Sequence, residues 1–208
     1  MSLTSRQARL LTVAGIAAAG LSGVAATGAQ AASKTLTYSC TYPLIGAQPL
    51  SVAIDAALPS SVPSGSATPQ YDVTATATAG ADTKSGLDLI GAKSISGTAK
   101  AGATVSGVGA AQSVSVPVTV TPYTVDPSAT DLVLTATGKT PSLTFPSSGT
   151  ATVKVDTLAL NLTAKDADGT PIALGTTSDS DGDANTFDVP CTLDPTTQDT
   201  TLGTFTVS

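Results

Sequence analysis

The sequence predicts an all-β protein: an Ig-like β-sandwich with Greek-key links, a single enlarged domain with one disulfide. Three observations carry that expectation. Apolar and hydroxyl residues alternate through most of the chain, the period of a strand with one buried face. The runs are short and separated by Gly, Pro, Asp and Ser, the residues of turns. Thr and Val dominate them, and a branched Cβ favours strand over helix. Many short strands joined in this way indicate two packed sheets.

Taken in order, Lys34 to Tyr42 alternates with Leu36, Tyr38, Cys40 and Tyr42 on one face. Leu50, Val52, Ile54, Ala56 and Leu58 repeat the period, and Tyr71, Val73, Ala75 and Ala77 do so again opposite Asp72, Thr74, Thr76 and Thr78. Asp82 to Gly91 is the one stretch suited to a short helix, docked by Leu87, Leu89 and Ile90. Ala92 to Ala111 is small and Gly-rich and reads as two loosely patterned strands. Val114, Val116, Val118 and Val120 form the next run, placed at an edge or bulge by Pro117. Leu132 to Thr137 follows, and then Ala151 to Ala164. There the apolar phase changes from Val153 and Val155 to Leu158, Leu160 and Leu162, which predicts a bulge at Asp156-Thr157. Asp168-Gly169 signals a tight turn. Thr186 to Leu193 and Thr201 to Val207 complete the strands.

The N-terminus carries a different pattern. Arg6 and Arg9 give a basic start, Leu10 to Ala26 an apolar run, and Ala29-Gln30-Ala31 a small-x-small cleavage pattern. Residues 1–31 are therefore expected to be a secretory signal peptide and residues 32–208 the folded domain. The run is short and rich in Gly and Ser, which disfavours a membrane helix. Thr37-Tyr38-Ser39 before Cys40 lacks the pattern of a lipid-anchoring box. The mature chain is expected to be secreted, extracellular or associated with the cell wall, with no membrane span. In an oxidising compartment Cys40 and Cys191 form one disulfide by default.

Composition excludes more than it identifies. The 208 residues contain no His and no Trp, and every acid is Asp. Without His there is no Ser-His-Asp triad, no Cys-His pair and no histidine metal ligand. Both arginines lie in the leader, so the mature chain sets seven lysines against fifteen aspartates, a net −8. That balance argues against nucleic acid, whose phosphates need Lys and Arg.

Two stretches carry a resemblance. Tyr38-Ser-Cys40-Thr-Tyr-Pro43-Leu-Ile-Gly46-Ala-Gln48-Pro49 and Val189-Pro190-Cys191-Thr-Leu-Asp-Pro195 resemble the opening and the close of an Ig-like domain family of unknown function in secreted actinobacterial proteins. The resemblance implies an exported Ig-like sandwich with no catalytic residues to carry over.

Asp179, Asp181 and Asp183 alternate like the first ligands of a calcium loop, whose hard oxygen donors suit that ion. Ala184 stands where Gly is expected, and no Glu is available to close the loop, so a solvated acidic turn competes with calcium. Lys84-Ser85 and Lys93-Ser94 are adjacent only in sequence, and neighbours on a strand point to opposite faces. Lys154, Asn161, Lys165 and Asn185 raise an internal Lys–Asn cross-link, against which stands ordinary surface polarity. The expected function is thus a non-enzymatic binding or adhesion module at the bacterial cell exterior, with no catalytic residues and no cofactor other than the candidate calcium. Its ligand is an unknown extracellular or cell-surface one, and a monomer is preferred. The alternative is a structural envelope or assembly subunit that pairs through edge strands.

Overall fold

The computed structural model describes residues 28–174 and 182–208. Among these residues the chain forms β1 (Ala29–Tyr42), β2 (Gly46–Pro59), β3 (Ser61–Val62), β4 (Asp72–Ala79), α1 (Ala81–Leu89), β5 (Ser94–Ser106), β6 (Gln112–Thr124), β7 (Leu132–Lys139), β8 (Gly149–Lys165), β9 (Phe187–Leu193) and β10 (Thr201–Val207). The order of pairing is β8, β5, β6, β7, β4, β2, β1, β9 and back to β8, all antiparallel. Eight strands therefore close a barrel, and β10 adds to the first part of β8.

Closure corrects the expected Ig-like sandwich. A sandwich leaves two sheets with free edges. Here β9 offers one edge to Tyr38–Cys40 of β1 and the other to Leu158–Leu162 of β8, which joins the two ends of one continuous sheet. A strand with one buried face has the same period in either architecture, so alternation alone does not distinguish them. Cys40 and Cys191 sit opposite one another in the β1–β9 ladder and are disulfide-bonded. The bond thus clamps the strand that closes the barrel.

The inward face is apolar. Leu50, Val52, Ile54, Ala56 and Leu58 of β2 and Val114, Val116, Val118 and Val120 of β6 are buried. Alternating with the valines, Ser113, Ser115, Pro117 and Thr119 face solvent. Apolar-in and hydroxyl-out is the reverse of a lipid-facing barrel. No described helix is long and apolar enough to cross a membrane.

Strand order also determines what covers the two ends. β4 lies beside β7, not β5, so the chain leaving β4 must cross one barrel end, and α1 makes that crossing. Leu87 of α1 is buried, whereas Leu89, expected to dock it, is 81 % exposed. The chain from β7 to β8 must likewise pass β6 and β5 across the other end. Residues 140–146 form this strap, with Phe145 buried near its end and its ring 5.5 Å from that of Phe205. Leu143 N donates to Thr68 Oγ1 (3.0 Å), Thr68 N to Leu143 O (2.8 Å) and Gly65 N to Phe145 O (2.8 Å), latching the strap to the segment after β3.

Local expectations fare variously. The β8 bulge falls as the change of phase requires: Gly102 of β5 faces Thr157, and the next residue, Ala103, faces Val155, leaving Asp156 unpaired in that ladder. Thr104 Oγ1 donates to Asp156 Oδ2 at 2.6 Å. Gly102 is required there, since a Cβ would lie 2.1 Å from Thr157 Oγ1. The Gly-rich Ala92 to Ala111 holds one strand, β5, not two. Pro117 lies inside β6, one residue before the short β6–β7 ladder that begins at Val118. β1 begins at Ala29, so its first three residues precede the expected cleavage point. Cleavage after Ala31 would leave Ala32–Tyr42 paired with β2.

Candidate functional site

An eight-stranded barrel has an interior that its side chains can just fill. This one places alanine at successive inward positions, Ala75 and Ala77 of β4 and Ala99, Ala101 and Ala103 of β5. Ala75, Ala77, Ala101 and Ala103 point inward yet stay partly accessible, because an apolar cavity of ≈ 140 Å³ lies against them. Seven of the eight barrel strands contribute to its wall, together with the strap and β10. An apolar cavity of about 150 Å³ stays dry and accepts a benzene-sized molecule. A smaller space of ≈ 40 Å³ lies under α1 and shares Ala77, Leu134 and Leu160 with the first.

Few polar side chains reach the cavity wall, and none is charged. Thr68 Oγ1 accepts from Leu143 N (3.0 Å), and Thr140 Oγ1 accepts from Tyr71 N (3.0 Å). The Tyr71 hydroxyl is shut off from water and has no hydrogen-bond partner. Tyr38 is 1 % exposed; burial, with a smaller contribution from Asp156, pushes its phenol up to about 12. The phenol is therefore neutral at physiological pH, as is that of Tyr71, which burial also raises.

The residues singled out from sequence do not form a second site among the described residues. Asp179 and Asp181 lie outside them. Asp183 is exposed, and its Oδ1 accepts from Asn185 N (3.0 Å) and Asn185 Nδ2 (2.8 Å), the pattern of a self-capped turn. No cluster of three or more metal-ligating side chains occurs among the described residues. Lys84 is buried and bonded to Asp88 (2.5 Å), while Ser85 and Lys93 are exposed. Asn161 Nδ2 donates to Asp188 Oδ1 (3.0 Å). Lys154 and Lys165 lie about 23 and 13 Å along β8 from it at the usual strand rise, so neither is placed for a cross-link to that amide.

The sequence reading missed the cavity. Its signal was the run of alanines at alternate positions of β4 and β5, which reads simply as weak strand until the opposite wall is known. Tyr71 lies on the inward face that the alternation predicts, and its main-chain N–H donates to Thr140 Oγ1, sixty-nine residues away.

These features define a closed antiparallel β-barrel with a disulfide across its closing strand and an unfilled apolar interior. The model of the family of unknown function DUF6801 matches residues 37–203, and the chain belongs to that family. The match runs from the middle of β1 into β10 and includes both cysteines. No curated protein and no solved structure matches the chain.

Proposed function

We propose that this chain is an exported, non-enzymatic binding module that holds a small apolar molecule inside the barrel. The observation that carries the reading is the ≈ 140 Å³ cavity, enclosed by seven strands and lined almost wholly by carbon. Closed eight-stranded barrels are suited to hold one small ligand when their interior is left unfilled. Export is supported by the leader pattern at residues 1–31 and by a disulfide of the kind that persists outside the cytosol. The actinobacterial cell exterior as its location rests on the terminal motifs around Cys40 and Cys191. The reading needs no catalytic residue and no cofactor. The envelope-subunit alternative is less well supported, because β9 uses both its edges and β3, at the end of the hydrogen-bonded order, is two residues long.

Ethylbenzene titrated into the mature protein, followed by calorimetry and thermal melting, tests the proposal. One-to-one saturable heat with a rising melting temperature is expected, since a ligand of the folded state stabilises it by mass action. No heat and no shift at the solubility limit of ethylbenzene would sink it. The same melting curve with millimolar calcium reads the Asp179–Asp183 loop independently.

A further inference from the structure

We infer that the barrel interior takes an unbranched alkyl chain, which enters between α1 and the β1–β2 turn and lies along the barrel axis. The inference rests on the binding reading above and goes further by naming the shape of the ligand and its way in.

The two apolar spaces lie one beyond the other. The larger reaches Phe145 and Phe205 at the strap end, and the smaller reaches Leu87 and Ile90 at the α1 end. One layer of side chains divides them. Ala77 and Leu134, register partners in the β4–β7 ladder, and Leu160 of β8 line both spaces. A chain one methylene wide needs less room in that layer than a ring does. No charged side chain lines either space, so a polar end of the ligand stays outside.

The two ends of the barrel are held differently. The strap is tied by the main chain of Thr140, Leu143 and Phe145, and it buries Phe145. Of the side chains that α1 buries, Thr83, Lys84 and Leu87, only Leu87 is apolar. Lys84 is bonded to Asp88 of the same helix, and Gly80 and Gly91 bound the element. An element with so little apolar anchorage opens before the rest of a domain does. Pro43 and Leu44 of the β1–β2 turn line the smaller space and are exposed, so that space lies just beneath the surface here. Among the described residues the exposed large apolar side chains are Leu44, Leu89 and Val133. All three belong to the α1 end, where an apolar guest would first meet carbon.

Ethylbenzene, n-butanol, n-hexanol, n-octanol and cyclooctanol titrated into the wild type test the shape. Affinity should rise about fourfold per methylene from n-butanol to n-octanol as each group is buried in carbon. Cyclooctanol should bind about tenfold more weakly than n-octanol, because a ring must spread the dividing layer. The way in is tested by exchange of n-octanol, read by NMR. A Cβ at Gly86 would lie 3.2 Å from Ile45 Cγ2, so Ile45→Cys with Gly86→Cys can bridge α1 to the turn. The oxidised variant should exchange n-octanol about tenfold more slowly than its Ile45→Ser, Gly86→Ser control, as expected when a gating motion is blocked. Leu87→Ala, which removes the apolar anchor of α1, should exchange it faster than the wild type. Affinity that levels off after n-butanol, or cyclooctanol bound as tightly as n-octanol, overturns the alkyl chain. Unchanged exchange in either folded variant overturns entry past α1. If ethylbenzene binds and lengthening the alcohol gains nothing, the binding reading stands and this inference falls. If no probe binds, both fall.

Discussion

The side chain of Gln198 holds both main-chain polar groups of Thr37. Its Nε2 donates to Thr37 O at 2.7 Å, and its Oε1 accepts from Thr37 N at 3.0 Å. A neighbouring strand would make the same two bonds. Thr37 lies one residue beyond the β1–β9 ladder, which ends at Tyr38. From there the other flank of the barrel wall passes from β9 to β10, since β8 pairs with β10 at Gly149–Lys154 and with β9 at Leu158–Leu162. Gln198 thus completes the wall where one strand has stopped and the next has not begun.

Replacing Gln198 by Ala should cost about 1–2 kcal/mol, the net worth of two hydrogen bonds. For a domain of this size the melting temperature should fall by about 3–6 °C. Thermal unfolding of Gln198→Ala against a nearby surface control such as Thr197→Ala measures it, and equal melting of the two would contradict the bridging role.

Reduction of Cys40–Cys191 should be far more damaging. The bridge spans 151 residues in sequence, and constraining a loop of that length is worth about 5 kcal/mol in the chain-entropy picture. The corresponding fall in melting temperature is about 10–20 °C, checked by scans with and without a phosphine reductant. Unchanged melting would mean that the β1–β9 seam holds without its covalent clamp.

Inward alanines should respond to enlargement according to whether they face the cavity. Ala101→Leu adds carbon to empty space and should be neutral or stabilising by up to about 2 kcal/mol. Ala164 is fully buried, so Ala164→Leu should lose about 1–3 kcal/mol through overpacking. Ala101→Leu should also reduce ethylbenzene uptake. Denaturant midpoints for the pair give the comparison, and equal destabilisation would mean the cavity is closed in solution.

Stability should fall in alkali through the buried phenols. The Tyr38 phenol is raised from 10 to about 12 in the folded state. A folded pKa above the unfolded one means the folded state holds the proton more tightly. Its contribution is fully present below pH 10 and is lost between pH 10 and about 12. Tyr42 and Tyr71 are raised by burial in the same direction. Denaturant midpoints from pH 9 to 12 should decline, and Tyr38→Phe should flatten part of that decline. With no Trp in the chain, tyrosinate absorbance follows the ionisation directly.

How much of this was legible in the sequence differs by level. The inward faces of β1, β2, β4, β6 and β7 follow from alternation, because each strand must bury one face whatever it packs against. The bulge at Asp156 was legible for the same reason: a strand cannot change which residues face inward without inserting one. Leu89 was misjudged because α1 is too short for its apolar residues to define a face, and the barrel end beneath it determined which of them is buried.

The sequence by itself determined an all-β chain with Cys40 in its first strand and Cys191 in its penultimate one, apolar within and hydroxylated without. Those properties depend on neighbours in the chain and on composition. Only the tertiary structure decided that the sheet closes, because closure requires β9 to pair with β1 and β8 at once, across separations that no local period records. The cavity was decided at the same level. An alanine facing another strand's valine makes a packed core or an empty one according to the width of the barrel between them, and that width follows from the number of strands that close.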